Sequence, residues 1–273
     1  MVTSIHNRFN TPPTGDEQLP IIKENLDRAE KIWNEHRTFL SKSALDEESF
    51  FRADSAMREL VPSRIPDYPI VDSENPKVGK FIALVADVRQ SSQHLLCSIS
   101  KGGPKIDMLE RVHHEMAALL PALEQTVYYQ GGSVTEYLGD GILAIFTINE
   151  ENKEEYIKKS YRAAKNCIGD TRRIVNDELQ RRYSLPPLDI GVGMAMSQGI
   201  VDVVGVEGRR HAKVIGPCVY YASKLSCGSN EIIVNNTMYN EWPTSEGGRL
   251  KFTHRNLRKT SGPTSTVEPG TIR

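Results

Sequence analysis

Apolar positions change period several times along the chain. In residues 18–41, QLPIIKENLDRAEKIWNEHRTFLS, the residues Ile22, Leu26, Ala29, Ile32, Trp33, Phe39 and Leu40 recur at helical intervals. A second, short helix is expected in SALDEESFFRADSAMREL, capped by Ser43 or Asp46. Next comes VPSRIPDYPIVDSENP, whose four prolines read as an extended linker. Phe81 to Val85 form an unbroken, partly β-branched apolar run, the mark of a buried strand. A polar loop with Gly102, Gly103 and Pro104 follows. Residues 105–130 then predict a long helix carrying Met108, Leu109, Val112, Met116, Leu119, Leu120 and Leu123.

The stretch GGSVTEYLGDGILAIF reads as a tight hairpin, and residues 151–183 as a long amphipathic helix. PLDIGVGMAMSQGIVDVVGV predicts two strands around a Ser197-Gln198-Gly199 turn. HAKVIG is a short strand, PCVYYASKLSC a helix and EIIVNN a strand. The order β-α-β-β-α-β-β predicts an α+β fold: a ferredoxin-like, mostly antiparallel sheet with flanking helices, preceded by an N-terminal helical extension. Three segments result: a disordered stretch over 1–17, with Pro12, Pro13 and Gly15, a helical extension and linker over 18–76, and the main domain over 77–273.

Composition narrows the function classes. At 273 residues the chain can bury a real core, and 38% hydrophobic with 25% charged residues is ordinary for a soluble globular protein. The formal net charge of −1 supplies no global field toward nucleic acid or anionic lipid, so neither is expected as a partner. The four cysteines, Cys97, Cys167, Cys218 and Cys227, form no C-x-x-C pair, which fits reduced thiols in a cytoplasmic protein. The N-terminus lacks the apolar core of a signal peptide, and no run is long enough to span a membrane.

Two carboxylates carry the candidate chemistry. Asp87 closes the first strand of the main domain, and Asp140 sits in a Gly-Asp-Gly turn between the next two. In a ferredoxin-like sheet the end of that first strand and the hairpin tip lie side by side. Two carboxylates brought together there repel one another unless a cation sits between them. Hard oxygen ligands favour Mg²⁺ or Mn²⁺, with substrate phosphates completing the shell. Taken singly, each Asp is an ordinary turn or cap residue. Ser91 and Ser92 open the turn after Asp87, where backbone N–H groups make an anion nest or a simple N-cap.

FIALVADVRQSSQHL, GGSVTEYLGDGILAIF and LDIGVGMAMSQGIVDVVGVEGRRHAKVIGPCVYYASKLS together resemble, in order and spacing, the three signatures of the class III nucleotidyl cyclase catalytic domain, over roughly residues 78–270. The resemblance implies a homodimer with active sites at the subunit interface, two divalent cations, and conversion of a nucleoside triphosphate to a 3′,5′-cyclic monophosphate plus pyrophosphate. Asp87 and Asp140 match the two metal-binding aspartates, and the carbonyl of Val88 the backbone ligand beside the first.

Four positions depart from the adenylate cyclase pattern. Glu136 stands where those enzymes carry a base-reading Lys, and guanylate cyclases have Glu there. Lys213 replaces the second base-reading residue, Tyr220 an Asn that orients the ribose, and Lys224 the Arg that compensates charge on the transferring phosphate. Lys keeps the charge of that Arg but loses its two-pronged geometry. Decay to a non-catalytic nucleotide-sensing module is one consequence of such changes, and a changed base is the other. Ionised Glu136 only accepts and Lys213 only donates, so together they suit a base edge with N–H beside a carbonyl, as in guanine or uracil, with cytosine, an amino donor beside acceptors, a further fit. Tyr220, with Tyr221 beside it, is bulky enough to narrow the pocket or stack on a small ring, which favours a pyrimidine.

A solitary cyclase domain with altered base-reading positions resembles, more narrowly, the pyrimidine cyclases of bacterial Pycsar anti-phage systems. That resemblance implies cyclic UMP or cyclic CMP acting on a separate effector protein, with UTP the expected substrate and guanylate or adenylate cyclase the alternative. Palm-domain polymerases share this sheet and two-metal chemistry, but no basic tract for a template is present. Lys259 falls roughly where cyclases keep a Lys on the terminal phosphates. His113, His114 and Glu115 read as helix-surface and boundary residues, because adjacent histidines point to different helix faces. Gly208-Arg209-Arg210-His211 reads as a solvated loop. GVGMAM lacks the third glycine of a dinucleotide fingerprint, and there is no P-loop.

Overall fold

A computed structural model describes residues 58–91, 108–243, 250, 252–254 and 270–272. The segment 1–57, including both expected N-terminal helices, lies outside the described residues. The chain divides into two units: Met1–Met57 with Gly205–Arg210, and Arg58–Val204 with His211–Arg273. Within the first, the described Gly205–Arg210 is a turn in which Arg209 N–H donates to the Val206 carbonyl at 2.9 Å.

The second unit opens with β1 (Leu60–Ile65) and β2 (Tyr68–Asp72), an antiparallel hairpin where an extended linker was expected. Its turn uses Asp67 at φ +68°, a left-handed conformation that Asp tolerates. A two-stranded ribbon is all edge, so Pro62 and Pro69 cost it little ladder hydrogen bonding. Val61, Ile65 and Val71 bury themselves against the main sheet.

β3 (Lys77–Val88) is an interior strand of that sheet. The elements that follow are α1 (Met108–Tyr128), β4 (Ser133–Leu138), β5 (Gly141–Ile148), α2 (Lys153–Asn166), α3 (Arg172–Tyr183) and β6 (Ile190–Val204). Then come β7 (His211–Ile215), α4 (Pro217–Leu225), β8 (Ile232–Val234), α5 (Asn236–Asn240), β9 (Phe252–His254) and β10 (Gly270–Ile272). The strand order is β4-β5-β3-β6-β8-β10-β9, with β7 on β6. The β6–β8 pairing is parallel, and the other described pairings are antiparallel. This is the expected α+β sheet.

β3 reads as a continuous apolar run because both its faces are covered. Ile82, Leu84, Ala86 and Val88 face a core completed by Leu119 and Leu123 of α1, Ile157 of α2 and Leu179 of α3. Phe81, Ala83 and Val85 face a second core with Val61, Ile65 and Val71 of the hairpin and Cys218, Ala222 and Leu225 on or beside α4.

Three further elements differ from expectation. PLDIGVGMAMSQGIVDVVGV forms the single strand β6, because Ser197, Gln198 and Gly199 pair in register with Phe81, Lys80 and Gly79 and so stay in the ladder. The helix expected over 151–183 breaks at Gly169, whose φ −100° and ψ −105° are not helical. In α1 the buried face runs through Arg111, Glu115, Leu119, Leu123 and Val127, while Met108 and Leu109 are exposed. The carboxylate of Glu115 satisfies Arg111 Nε at 2.9 Å, which lets the i,i+4 pair sit on the inner face. Among the described residues no helix is long and apolar enough to cross a membrane.

Candidate active site

By strand alternation Asp87 shares a face of β3 with Phe81, Ala83 and Val85. It lies directly across from Gly141, and the next amide, Val88 N–H, donates to the Asp140 carbonyl at 3.0 Å. The end of β3 and the β4–β5 turn thus meet, and Asp87 and Asp140 lie together. Gly141 permits the approach: a Cβ there would stand 2.2 Å from the Ala86 carbonyl oxygen. Burial raises the Asp87 carboxyl above its ordinary pKa. Hydrogen bonds from Ser226 and Arg89, with the Arg89 charge, oppose that rise, and the negative charge of Asp140 adds to it.

Two residues of this cluster went unmarked in the sequence. Arg89 Nη1 donates to Asp87 Oδ1 at 3.1 Å and to the Ser226 carbonyl at 3.0 Å. Ser226 Oγ donates to Asp87 Oδ2 at 2.9 Å. Ser226 reaches the carboxylate because α4 lies close on β6. A Cβ at Gly193 would stand 2.0 Å from the Ala222 carbonyl oxygen, and one at Gly191 2.1 Å from that of Ser226. The GVG stretch that fails as a dinucleotide fingerprint therefore serves helix docking. Its signal in the sequence was two glycines on one strand face.

Among the described residues no group of three His, Cys, Asp or Glu side chains could hold a metal ion. A pair of carboxylates suits a hard divalent cation whose remaining ligands are waters and substrate phosphates, the usual Mg²⁺ arrangement. An ionised carboxylate offers about four lone-pair sites, so Asp87 keeps acceptor capacity beyond the Arg89 and Ser226 bonds. The donor set therefore fits such an ion.

Glu136 reaches the same sheet face as Asp87 through a β-bulge. Val134 pairs with Ala144 and Glu136 with Leu143, leaving Thr135 as the extra residue. Ala144 belongs to the core under the helices and Leu143 to the other. Without the bulge Glu136 would point into the helix-covered core, since a one-residue slip reverses the faces. Glu136 Oε1 meets Lys213 Nζ at 2.7 Å. The two strands stand four positions apart, β4-β5-β3-β6-β7, about 19 Å in a flat sheet. The β6–β7 ribbon must curl over the sheet face to close that gap.

Tyr220 and Lys224 share one exposed face of α4, with the Lys224 ammonium 5.7 Å from the Tyr220 ring centroid. Tyr220 thus turns outward, not into the helix packing. Ser91 is half-buried just beyond Gln90, whose φ is +55°. Ser92 and Lys259 lie outside the described residues. His114 stacks on Tyr183 with ring centroids 4.3 Å apart and lies 3.4 Å from Glu110, and Glu115 pairs with Arg111.

No family model matches the sequence, and no curated protein matches it. Solved structures do resemble the fold. The guanylyl cyclase Cya2 superposes with a TM-score of 0.56 at 20% identity, covering 72% of this chain and 91% of that one. The adenylyl cyclase CyaB from P. aeruginosa gives 0.55 at 15% identity, covering 73% and 96%. The guanylate cyclase domain of RhGC from Catenaria anguillulae, in complex with GTP, gives 0.52 at 12% identity, covering 72% and 98%. The chain thus has the fold of nucleotidyl cyclase catalytic domains.

Proposed function

We propose that the protein is a two-metal nucleotidyl cyclase that converts a nucleoside triphosphate, UTP, to its 3′,5′-cyclic monophosphate and pyrophosphate. The observation that carries this is the meeting of Asp87 and Asp140 at the β3 end, on a fold shared with adenylyl and guanylyl cyclases. The ribose 3′-oxygen attacks the α-phosphorus, the bond from that phosphorus to the bridging oxygen breaks to release pyrophosphate, and the hydroxyl proton passes to solvent water. When bound, two divalent cations supply acidification of the 3′-hydroxyl and charge compensation for the departing pyrophosphate.

Asp87, Asp140 and the Val88 carbonyl would hold those ions. Arg89 and Ser226 fix the Asp87 carboxylate in one orientation. Ser91, Ser92 and Lys259 bind phosphate. Glu136 and Lys213 read the base. Lys224 and Tyr220, exposed on α4, act across a homodimer interface, Lys224 on the transferring phosphate and Tyr220 on the ribose. The chain's altered base-reading positions support a pyrimidine product, cyclic UMP, read by a separate effector protein in bacterial antiviral defence.

One observation favours a second function, a nucleotide-sensing module without turnover: the 2.7 Å Glu136–Lys213 ion pair occupies the base-reading groups with each other. Incubating the protein with each of the four nucleoside triphosphates and Mn²⁺ separates the two. Cyclic UMP supports the cyclase. Nucleotide binding without any cyclic product, from folded protein, supports the sensor.

A further inference from the structure

β1 packs against both β4 and β7, the strands that the Glu136–Lys213 pair joins. A cavity of ≈ 170 Å³ remains there, walled by Pro62, Ser63 and Arg64 from β1, Thr135 from the β4 bulge, and His211 and Lys213 from β7. Whole drug-sized ligands occupy pockets of about 300–1,000 Å³, so this cavity suits one ring, not a nucleotide. Glu136, one residue past Thr135 and bonded to Lys213, stands beside it.

The wall is rich in donors. Arg64 offers guanidinium N–H groups and no acceptor, and Lys213 offers only ammonium protons. Ser63 Oγ accepts from Ile65 N–H at 3.0 Å, which leaves its own proton free to be given. Arg64 makes a 3.5 Å contact to Glu124 and also interacts with Tyr137, in an exposed setting where such contacts hold it weakly. A wall of donors, with the Glu136 carboxylate next to it on Lys213, selects a ring with several carbonyls and one N–H. Uracil carries two carbonyls flanking N3–H. Guanine and cytosine carry one carbonyl each, and adenine none.

We infer that Ser63 and Arg64 of β1 are specificity-determining residues that complete the base pocket and bias it toward uracil. The inference rests on the cyclase function proposed above and extends it to a strand that precedes the cyclase-like stretch beginning near residue 78. The β1–β2 hairpin then has a purpose beyond covering the sheet: its prolines hold a short, stiff edge against the Glu136–Lys213 pair.

The test uses the full chain, with Ser63→Ala and Arg64→Ala made separately and their melting temperatures compared with wild type. Binding and kcat/KM are measured for UTP, CTP, GTP and ATP with Mn²⁺. Wild type is expected to prefer UTP, and each variant to lose about tenfold of that preference, the scale of one hydrogen bond, read as a rise in KM for UTP relative to the other three nucleotides. An active wild type whose base preference is the same in both variants, or which prefers a purine, overturns the inference and leaves the cyclase standing. A wild type that neither binds nor turns over any nucleotide overturns both.

Discussion

Glu136 and Lys213 meet at 2.7 Å although β5, β3 and β6 lie between their strands. Such a contact is made by tertiary curvature, and it places an acceptor and a donor at one point on the sheet face. A base with N–H beside a carbonyl can replace it group for group, the carboxylate taking the N–H and the ammonium the carbonyl. Glu136→Ala and Lys213→Ala are each expected to lower kcat/KM for the preferred nucleotide by about 10–100-fold, the range of hydrogen bonds to charged groups. They should lower it less for adenine nucleotides. The check is steady-state kinetics with all four triphosphates. Equal losses for every base would remove these residues from base recognition.

The docking of α4 on β6 depends on Gly193, where a Cβ would stand 2.0 Å from the Ala222 carbonyl oxygen. Backbone cannot move aside as a flexible side chain can. Gly193→Ala is therefore expected to cost about 1–3 kcal/mol, the usual range for overpacking, and to pull Ser226 away from Asp87. Urea denaturation measures the first effect. An unchanged midpoint would show that α4 tolerates displacement.

A network of two lysines and two glutamates ties the start of β3 to α2 and the residue after α5. Lys80 and Lys153 each lie 2.9 Å from Glu241, and Lys153 also 2.9 Å from Glu150. Burial pushes the Glu241 carboxyl up, but the bonds from Lys80 and Lys153 outweigh it and hold the pKa low, while Lys153 is raised to about 12. A carboxyl with a depressed folded-state pKa stabilises above its unfolded value, about 4.3, and that contribution disappears as pH falls through the folded value. Glu241→Ala should thus cost about 1 kcal/mol or less near neutral pH, since the network is partly exposed. The gap from wild type should close as the pH drops below about 4. Melting curves at both pH values test this, and a gap that widens in acid would contradict it.

The sequence made the carboxylate pair legible because it depends on strand order. A doubly buried run ending in Asp87 and a Gly-Asp-Gly hairpin are local patterns, and the β-α-β-β order makes them neighbours. Arg89 and Ser226 were not legible, since their bond joins residues 137 positions apart and depends on glycines in β6. The β1–β2 hairpin was hidden by its prolines, which argue against a central strand but not against a ribbon with two edges. The continuity of β6 was hidden by Ser197-Gln198-Gly199, a sequence that turns when unpaired and here stays extended against Gly79–Phe81. Glu136 was marked for its type, but the bulge that sends it to the working face left no mark in the residues around it.

The most direct test replaces the oxygens proposed to hold the ions without altering shape. Asp87→Asn and Asp140→Asn, each confirmed folded by circular dichroism, are incubated with UTP and Mn²⁺, and cyclic product is quantified by mass spectrometry. Wild-type protein should form cyclic UMP, and each variant should form at least ~10²-fold less, the scale of losing a main electrostatic contributor. Equal product from wild type and either variant would contradict the account.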